Sequence, residues 1–269
     1  MSSTLNEELR TKLLVFQIEH TENLIKSILK YNRALDASDT GTGKSYSACA
    51  LAKALGLIPF IICPKTIIKS WHGALKHFGI ENYYIINYES LQNCKYAFGK
   101  NEIKSKCPYV KLVKRVQINE EFFEGAIMPK KEKRAVYKWS NIPANMILIF
   151  DEAHRCKNRI SNNSEILYRA AKTNAKILIL SATITEKVHT FITAGYVLGL
   201  YSKIKQGKFW ISSLAGDTTD PMIAIHNHIF NEYASRMKIE DLGDVFLLLI
   251  KGGIELLLQV CPVDEIDHP

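Results

Sequence analysis

The chain has 269 residues, 47% of them hydrophobic and 23% charged, the balance of a globular protein that holds one large α/β domain or two small ones. No apolar stretch is long enough to span a bilayer, the best candidate, 245–250, being cut by Lys251, and the amino terminus lacks the basic-then-apolar layout of a secretory signal. These features predict a soluble, intracellular protein with no membrane partner, whose six cysteines, lacking paired metal spacing, are reduced and buried.

In chain order, apolar residues at helical spacing predict a helix over 8–31, carrying Gln17. A short strand at 33–37 leads into Asp39, Thr40, Gly41, Thr42, Gly43, Lys44 and Ser45. This run has the form of a phosphate-binding loop. Glycines let the backbone N–H groups approach a β-phosphate, Lys44 reaches the β- and γ-phosphates, and the Ser45 hydroxyl is a Mg²⁺ ligand. A helix over 46–55 would turn its amino terminus to the anion. Ser38 stands where the strict pattern has glycine.

A buried strand at 59–63 ends at Pro64, an amphipathic helix is predicted over 65–78 with Gly79 as its stop, and a third strand covers 83–87. Next comes a basic block. Between residues 93 and 138 there are twelve Lys/Arg and five Glu, which account for +7 of the net charge of +8. Two readings stand: a surface that contacts phosphate backbone, or a solvated, partly disordered insertion.

The apolar run 146–150 reads as a buried parallel strand, with Asp151, Glu152, Ala153 and His154 at its end. Carboxylates at the carboxyl end of such a strand lie where an open α/β sheet keeps its ligand chemistry. Asp151 would hold Mg²⁺ through water, and Glu152 would polarise a water for attack on the γ-phosphate. A helix over 164–172 and a fifth strand over 175–180 follow. Helices are predicted at 188–200 and 221–237, and 244–258 reads as a hairpin or two short buried pieces. Strands alternating with helices imply a parallel, doubly wound sheet.

Taken in order, Gln17, Asp39 to Ser45, Pro64 and Lys65, Asn87 to Glu89, Asp151 to His154, and Ser181 to Thr183 resemble the motifs of superfamily-2 helicases and translocases of the DEAD/DEAH-box kind. The wording around Cys63 to Trp71 and Phe150 to Asn158 resembles the SWI/SNF-like branch, and Asp39 to Ser45 is similar to helicases of large DNA viruses and phages. The resemblance implies the first RecA-like lobe over 1–200, with a basic insertion at 93–138 and a mainly helical extension over 201–269. It implies ATP with Mg²⁺ as cofactors and nucleic acid, double-stranded DNA in particular, as partner. It also assigns roles. Gln17 would lie near the adenine, and Thr40, Gly41, Thr42, Gly43, Lys44 and Ser45 would bind phosphate. Lys44, Asp151, Glu152 and His154 would act in hydrolysis. Pro64, Lys65, Thr66, Asn87 and Tyr88 would face the nucleic acid, while Ser181 and Thr183 would couple hydrolysis to movement through His154. Trp71 reads as core. Motors of this kind add a second lobe with an arginine finger, and after Thr183 this chain has one arginine, Arg236. Two readings therefore follow, an ATP-driven translocase or a non-catalytic ATP- and nucleic-acid-binding lobe that is truncated or needs a partner chain.

Overall fold

The computed structural model describes residues 5–100, 106–117, 133–182, 188–207 and the pair Ala234–Ser235. Six strands, β1 (Arg33–Asp36), β2 (Ile58–Cys63), β3 (Tyr84–Asn87), β6 (Met146–Asp151), β7 (Lys176–Leu180) and β8 (Ala234–Ser235), form one sheet in the order β3-β2-β6-β7-β1-β8. Every pairing in it is parallel. The remaining strands, β4 (Val110–Gln117) and β5 (Lys133–Trp139), make a separate antiparallel pair.

The sheet is covered on both faces, and the period of two along its strands assigns each residue to a face. Ile61, Cys63, Ile85, Ile147, Ile149, Leu178 and Leu180 enter the core shared with α1 (Glu7–Thr11), α2 (Val15–Tyr31), α3 (Lys44–Ala54) and α4 (Ile68–His77). The alternate residues, Phe60, Ile62, Ile86, Leu148, Phe150, Ile177 and Ile179, face α5 (Tyr88–Gln92), α6 (Asn162–Ala171) and α7 (Val188–Leu198). The long apolar runs of β2, β6 and β7 follow from this two-sided burial.

Three expectations change. The opening helix is two helices, because Leu14 is extended at φ −71° and ψ 150° before α2 begins. Its N–H is satisfied by the side chain of Gln17 at 3.0 Å, which fixes the break. Residues 65–67 form a 3₁₀ turn before α4 rather than its first helical turn. In the span 221–237, expected as helix, Ala234 and Ser235 lie in β8 beside Leu35 and Asp36; the rest of that span, and 244–258, lie outside the described residues.

The basic block is built into the fold where it is described. Val110, Ala135, Tyr137 and Trp139 are buried in the same core as Phe60 and Ile166. Trp139 donates its indole N–H to the Ile166 carbonyl at 3.0 Å, and the Tyr137 hydroxyl donates to the Gln92 carbonyl at 3.0 Å. Arg134 pairs with the buried Glu165 of α6, which Arg169 also holds at 2.6 Å. Residues 106–117 and 133–139 are thus a structural arm, and the disordered reading of the insertion does not hold for them.

Candidate active site

Because all six strands run the same way, the residues that follow β1, β2, β3, β6 and β7 gather at one edge of the sheet. Asp36 of β1 and Asp151 of β6 both stand level with Leu180 of β7, which puts Ser181 between the two motifs. Cys63 stands level with Asn87, bringing the turn after β2 beside the turn after β3.

The phosphate loop is built from backbone. Gly41 and Gly43 both have φ of +87°, a conformation that glycine adopts without steric penalty. Ser38 has no such requirement, so a side chain at the pattern's first glycine position is tolerated; its N–H donates to Asp36 Oδ1 at 3.0 Å. Lys44 Nζ donates to the Ser38 and Asp39 carbonyls at 2.9 and 3.0 Å, folded back over its own loop. The Thr42 hydroxyl donates to the Asp39 carbonyl at 2.8 Å. Gly43 is the N-cap of α3 and supplies no side-chain cap, which leaves the first N–H groups of α3 directed at an incoming anion. Thr40 is exposed and Ser45 is half-buried beside Lys44.

Gln17 is tied to this loop. Its Nε2 donates to the Thr42 carbonyl at 2.9 Å while its Oε1 accepts from Leu14. A Cβ on Gly43 would come within 2.2 Å of that Nε2. One turn further along α2, His20 Nε2 lies 3.0 Å from Asp36 Oδ2, both groups being buried behind the loop. Neither member of that pair stood out in sequence. The signal was a charged residue inside an apolar strand and a histidine on the buried stripe of a helix.

The second motif is built differently. Asp151 is buried, and its carboxyl is pushed up to about 6. Burial is the largest cause, opposed by the hydrogen bonds from Trp71 and from the Glu152 backbone. Trp71 Nε1 donates to Oδ2 and Glu152 N donates to Oδ1, each at 2.8 Å. Glu152 takes a left-handed conformation at φ 51°, a strained choice for a residue with a side chain and one concentrated at functional sites. Its carboxylate, a third exposed, lies 3.1 Å from His154 Nδ1 in the following 3₁₀ turn, Ala153–Cys156.

Of the residues expected to face nucleic acid, Lys65 and Thr66 are exposed and Pro64 is buried. Asn87 caps α5, its side chain accepting from Ser90 at 3.2 Å. Tyr88 needs correction: its ring is fully buried and its hydroxyl donates to the Asp151 carbonyl at 2.8 Å, so its side chain has no open face. Ser181 is buried, with its N–H on the Asp36 carbonyl at 3.0 Å, and Thr183 lies outside the described residues. Trp71 is core by burial, yet its one polar atom reaches the candidate metal carboxylate, a link across eighty positions of sequence.

The residues present fit a nucleotide with a hard divalent cation. Left-handed glycines open a cradle of N–H groups, and a lysine rests on carbonyls that phosphate oxygens can replace. A single buried carboxylate and a serine hydroxyl suit Mg²⁺, which keeps waters and phosphate oxygens as its other ligands. Among the described residues no helix is long and apolar enough to cross a membrane.

Residues 10–186 match the family described as type III restriction enzyme, res subunit. The chain is 34% identical to a protein of Acanthamoeba polyphaga mimivirus that carries the name ATP-dependent RNA helicase L364, over 91% of this chain and 47% of that protein. Among solved structures, the Sulfolobus solfataricus SWI2/SNF2 ATPase core in complex with dsDNA superposes with a TM-score of 0.54 at 15% identity, over 84% of this chain and 44% of that one. The chain therefore spans under half the length of these relatives. On the match across two thirds of its length and the architecture around its phosphate loop, the chain belongs to the type III restriction enzyme res-subunit family, as a RecA-like first lobe of the superfamily-2 helicase and translocase type.

Proposed function

We propose that this chain is the ATP-binding lobe of a nucleic-acid translocase that hydrolyses ATP to move along double-stranded DNA. The reading is carried by one observation: the phosphate loop and the Asp151–Glu152 turn share a sheet edge with the exposed Lys65 and Thr66. ATP would lie with its phosphates on the N–H groups of Gly41 to Ser45. Lys44 would leave the Ser38 and Asp39 carbonyls for the β- and γ-phosphates. Mg²⁺, when bound, would offset phosphate charge, held by Ser45 and, through water, by Asp151. Glu152 would orient the attacking water, and His154, 3.1 Å from it, would set its direction. Gln17 would act on the loop's shape through Thr42 and lie beside the adenine.

The hairpin of β4 and β5 supports a nucleic-acid partner. Lys111 stands directly across from Lys138, and a bulge at Val113 brings Lys114 onto the same outward face. Like charges opposed across a ladder destabilise it unless an anion lies between them. Binding of this kind is to backbone, independent of sequence and weakened by salt.

Duplex DNA is the favoured partner on the SWI/SNF-like wording of the motifs, and the mimivirus relative's name makes RNA the alternative that an experiment must separate. Full turnover is expected to need a second lobe, whether in the same protein or on a partner chain. The test is steady-state ATP hydrolysis with no nucleic acid, with a DNA duplex and with single-stranded RNA, beside Glu152→Gln. Stimulation by the duplex that Glu152→Gln lowers by about 10²–10⁴ is the expected result. Stimulation by RNA alone transfers the reading to RNA, and hydrolysis indifferent to Glu152 removes it.

A further inference from the structure

The two tryptophans with described surroundings satisfy their indole N–H groups in different ways. Trp139 uses a backbone carbonyl, that of Ile166, as a buried indole usually does. Trp71 uses the carboxylate of Asp151. The indole N–H is a donor only, so it can hold that oxygen solely as an acceptor. With Glu152 N on the other oxygen, the carboxylate is fixed at both ends by groups that belong to different parts of the chain.

The helix carrying Trp71 begins at the candidate nucleic-acid surface. Lys65 and Thr66 are exposed in the 3₁₀ turn, and the helix continues from Ile68 with Trp71 wholly buried on its inner side. The next crossover ends on the same residue, since Tyr88 opens α5 and its hydroxyl donates to the Asp151 carbonyl. Both connections that face the expected track thus terminate on the residue expected to hold Mg²⁺ through water. A rigid helix transmits a displacement of its first turn to its second, and a bidentate hold on a carboxylate leaves it no independent orientation.

Building on the proposed function, we infer that Trp71 is a positioning residue which aligns the Asp151 carboxylate for Mg²⁺ and ties that alignment to nucleic acid seated on Lys65 and Thr66. Contact at the first turn of this helix changes the indole's position, and the indole carries the carboxylate with it. The cation site and the track are thereby coupled through one hydrogen bond rather than through the phosphate loop.

Trp71→Phe removes the donor and keeps the aromatic bulk. Affinity for a non-hydrolysable ATP analogue is read by calorimetry, with and without Mg²⁺, and with and without a DNA duplex. The Mg²⁺-free affinity is expected within about twofold of wild type, while the gain on adding Mg²⁺ falls about tenfold. The further change that duplex produces in wild type is lost. A variant that retains the whole Mg²⁺ gain, with a wild-type protein that does bind the Mg²⁺–analogue complex, overturns the inference and leaves the proposed function standing. Failure of wild type to bind the analogue strikes the proposed function instead. A second measurement needs no substitution at the site. The unaltered sequence is labelled with 5-fluorotryptophan, and its fluorine resonance for Trp71 is assigned by difference from Trp139→Phe and Trp210→Phe. That resonance should shift when Mg²⁺ joins the bound analogue and again when duplex is added. A resonance unmoved by both additions overturns the inference even where Trp71→Phe fails to fold.

Discussion

The phosphate loop and the Asp151 turn lie at the same sheet edge and are made by opposite means. The loop is largely local: its shape comes from two left-handed glycines and carbonyls within seven residues of Lys44, with Gln17 as a distant tie. The Asp151 turn is assembled from afar, since Trp71 and Tyr88 reach it from the helices that follow two other strands. A local device can be read and altered one residue at a time. A distributed one places part of its chemistry in residues that resemble ordinary core.

The largest effect should come from Lys44→Ala. This change removes the only side chain of the loop that can place a full positive charge on a phosphate. Charge-assisted hydrogen bonds to phosphate are the strong class, so nucleotide affinity should fall by at least about a hundredfold. Thermal stability should hardly change, because Nζ bonds only carbonyls that water can satisfy. Unchanged affinity by calorimetry would remove the phosphate-loop assignment and leave the two regions without a common ligand.

This contrast also explains what could be read in advance. Strand positions were legible because two-sided burial demands unbroken apolar runs such as 146–150 and 177–180. The loop was legible because its glycines and lysine carry their function at fixed spacing. Trp71 was legible only as a buried ring, since nothing in a helical period says which acceptor an indole N–H will find. Tyr88 was misplaced for the same reason. It follows a strand at the site edge, as a track-facing residue would, but its hydroxyl turns inward to Asp151. The hairpin stayed hidden beneath its charge: lysines alternating with Val110, Tyr137 and Trp139 give a strand one wet face and one dry face. The break before α2 depends on Gln17 satisfying Leu14, a contact that no periodicity reveals.

Gly43→Ala sharpens the comparison by testing how far the loop is truly local. A Cβ there is strained by the positive φ and meets Gln17 Nε2 at 2.2 Å, so the glutamine must leave Thr42. Left-handed strain of about 1–2 kcal/mol adds to the broken hydrogen bonds of Gln17, for a total on the order of 2–4 kcal/mol by chemical denaturation. Gln17→Ala alone should lose about 1–2 kcal/mol. Equal losses in the two variants would mean that the glutamine tie, and not the backbone conformation, maintains the loop.

Asp151→Asn probes the distributed region and should stabilise it. The carboxyl lies at about 6 in the fold against an ordinary value of 3.8, so the folded chain binds a proton that the unfolded chain releases between those values. Stability of the ligand-free protein therefore rises as pH falls from about 6 toward 4, and the burial penalty is fully present above 6. The amide removes that penalty, but its single oxygen can accept from Trp71 or from Glu152 N and its NH2 then meets the other donor, which takes back part of the gain. A net gain of about 1–2 kcal/mol is expected at pH 7.5, lost near pH 4, with Mg²⁺-dependent nucleotide binding abolished. A melting temperature equal to wild type at both pH values would mean that Trp71 and the Glu152 N–H already offset the buried charge.

The smallest effect concerns the hairpin, which extends the comparison from the sheet edge to the surface. Deleting 93–138 would remove Val110, Ala135 and Tyr137 from the core, so weaker binding in that variant would report unfolding as readily as an absent DNA-binding surface. Lys111→Ala, Lys114→Ala and Lys138→Ala combined leave the buried face untouched and remove three outward charges. For every phosphate that a lysine no longer neutralises, the steepness of log affinity against log salt falls by about 0.9 on duplex DNA. A decrease approaching three times that value would place all three lysines on the backbone. Retained affinity with an unchanged slope would instead leave the arm's role to Leu112 and Val113, which are 41% and 57% exposed on the same strand. Apolar binding of that kind carries no counterion release, so affinity and salt slope together separate the two modes.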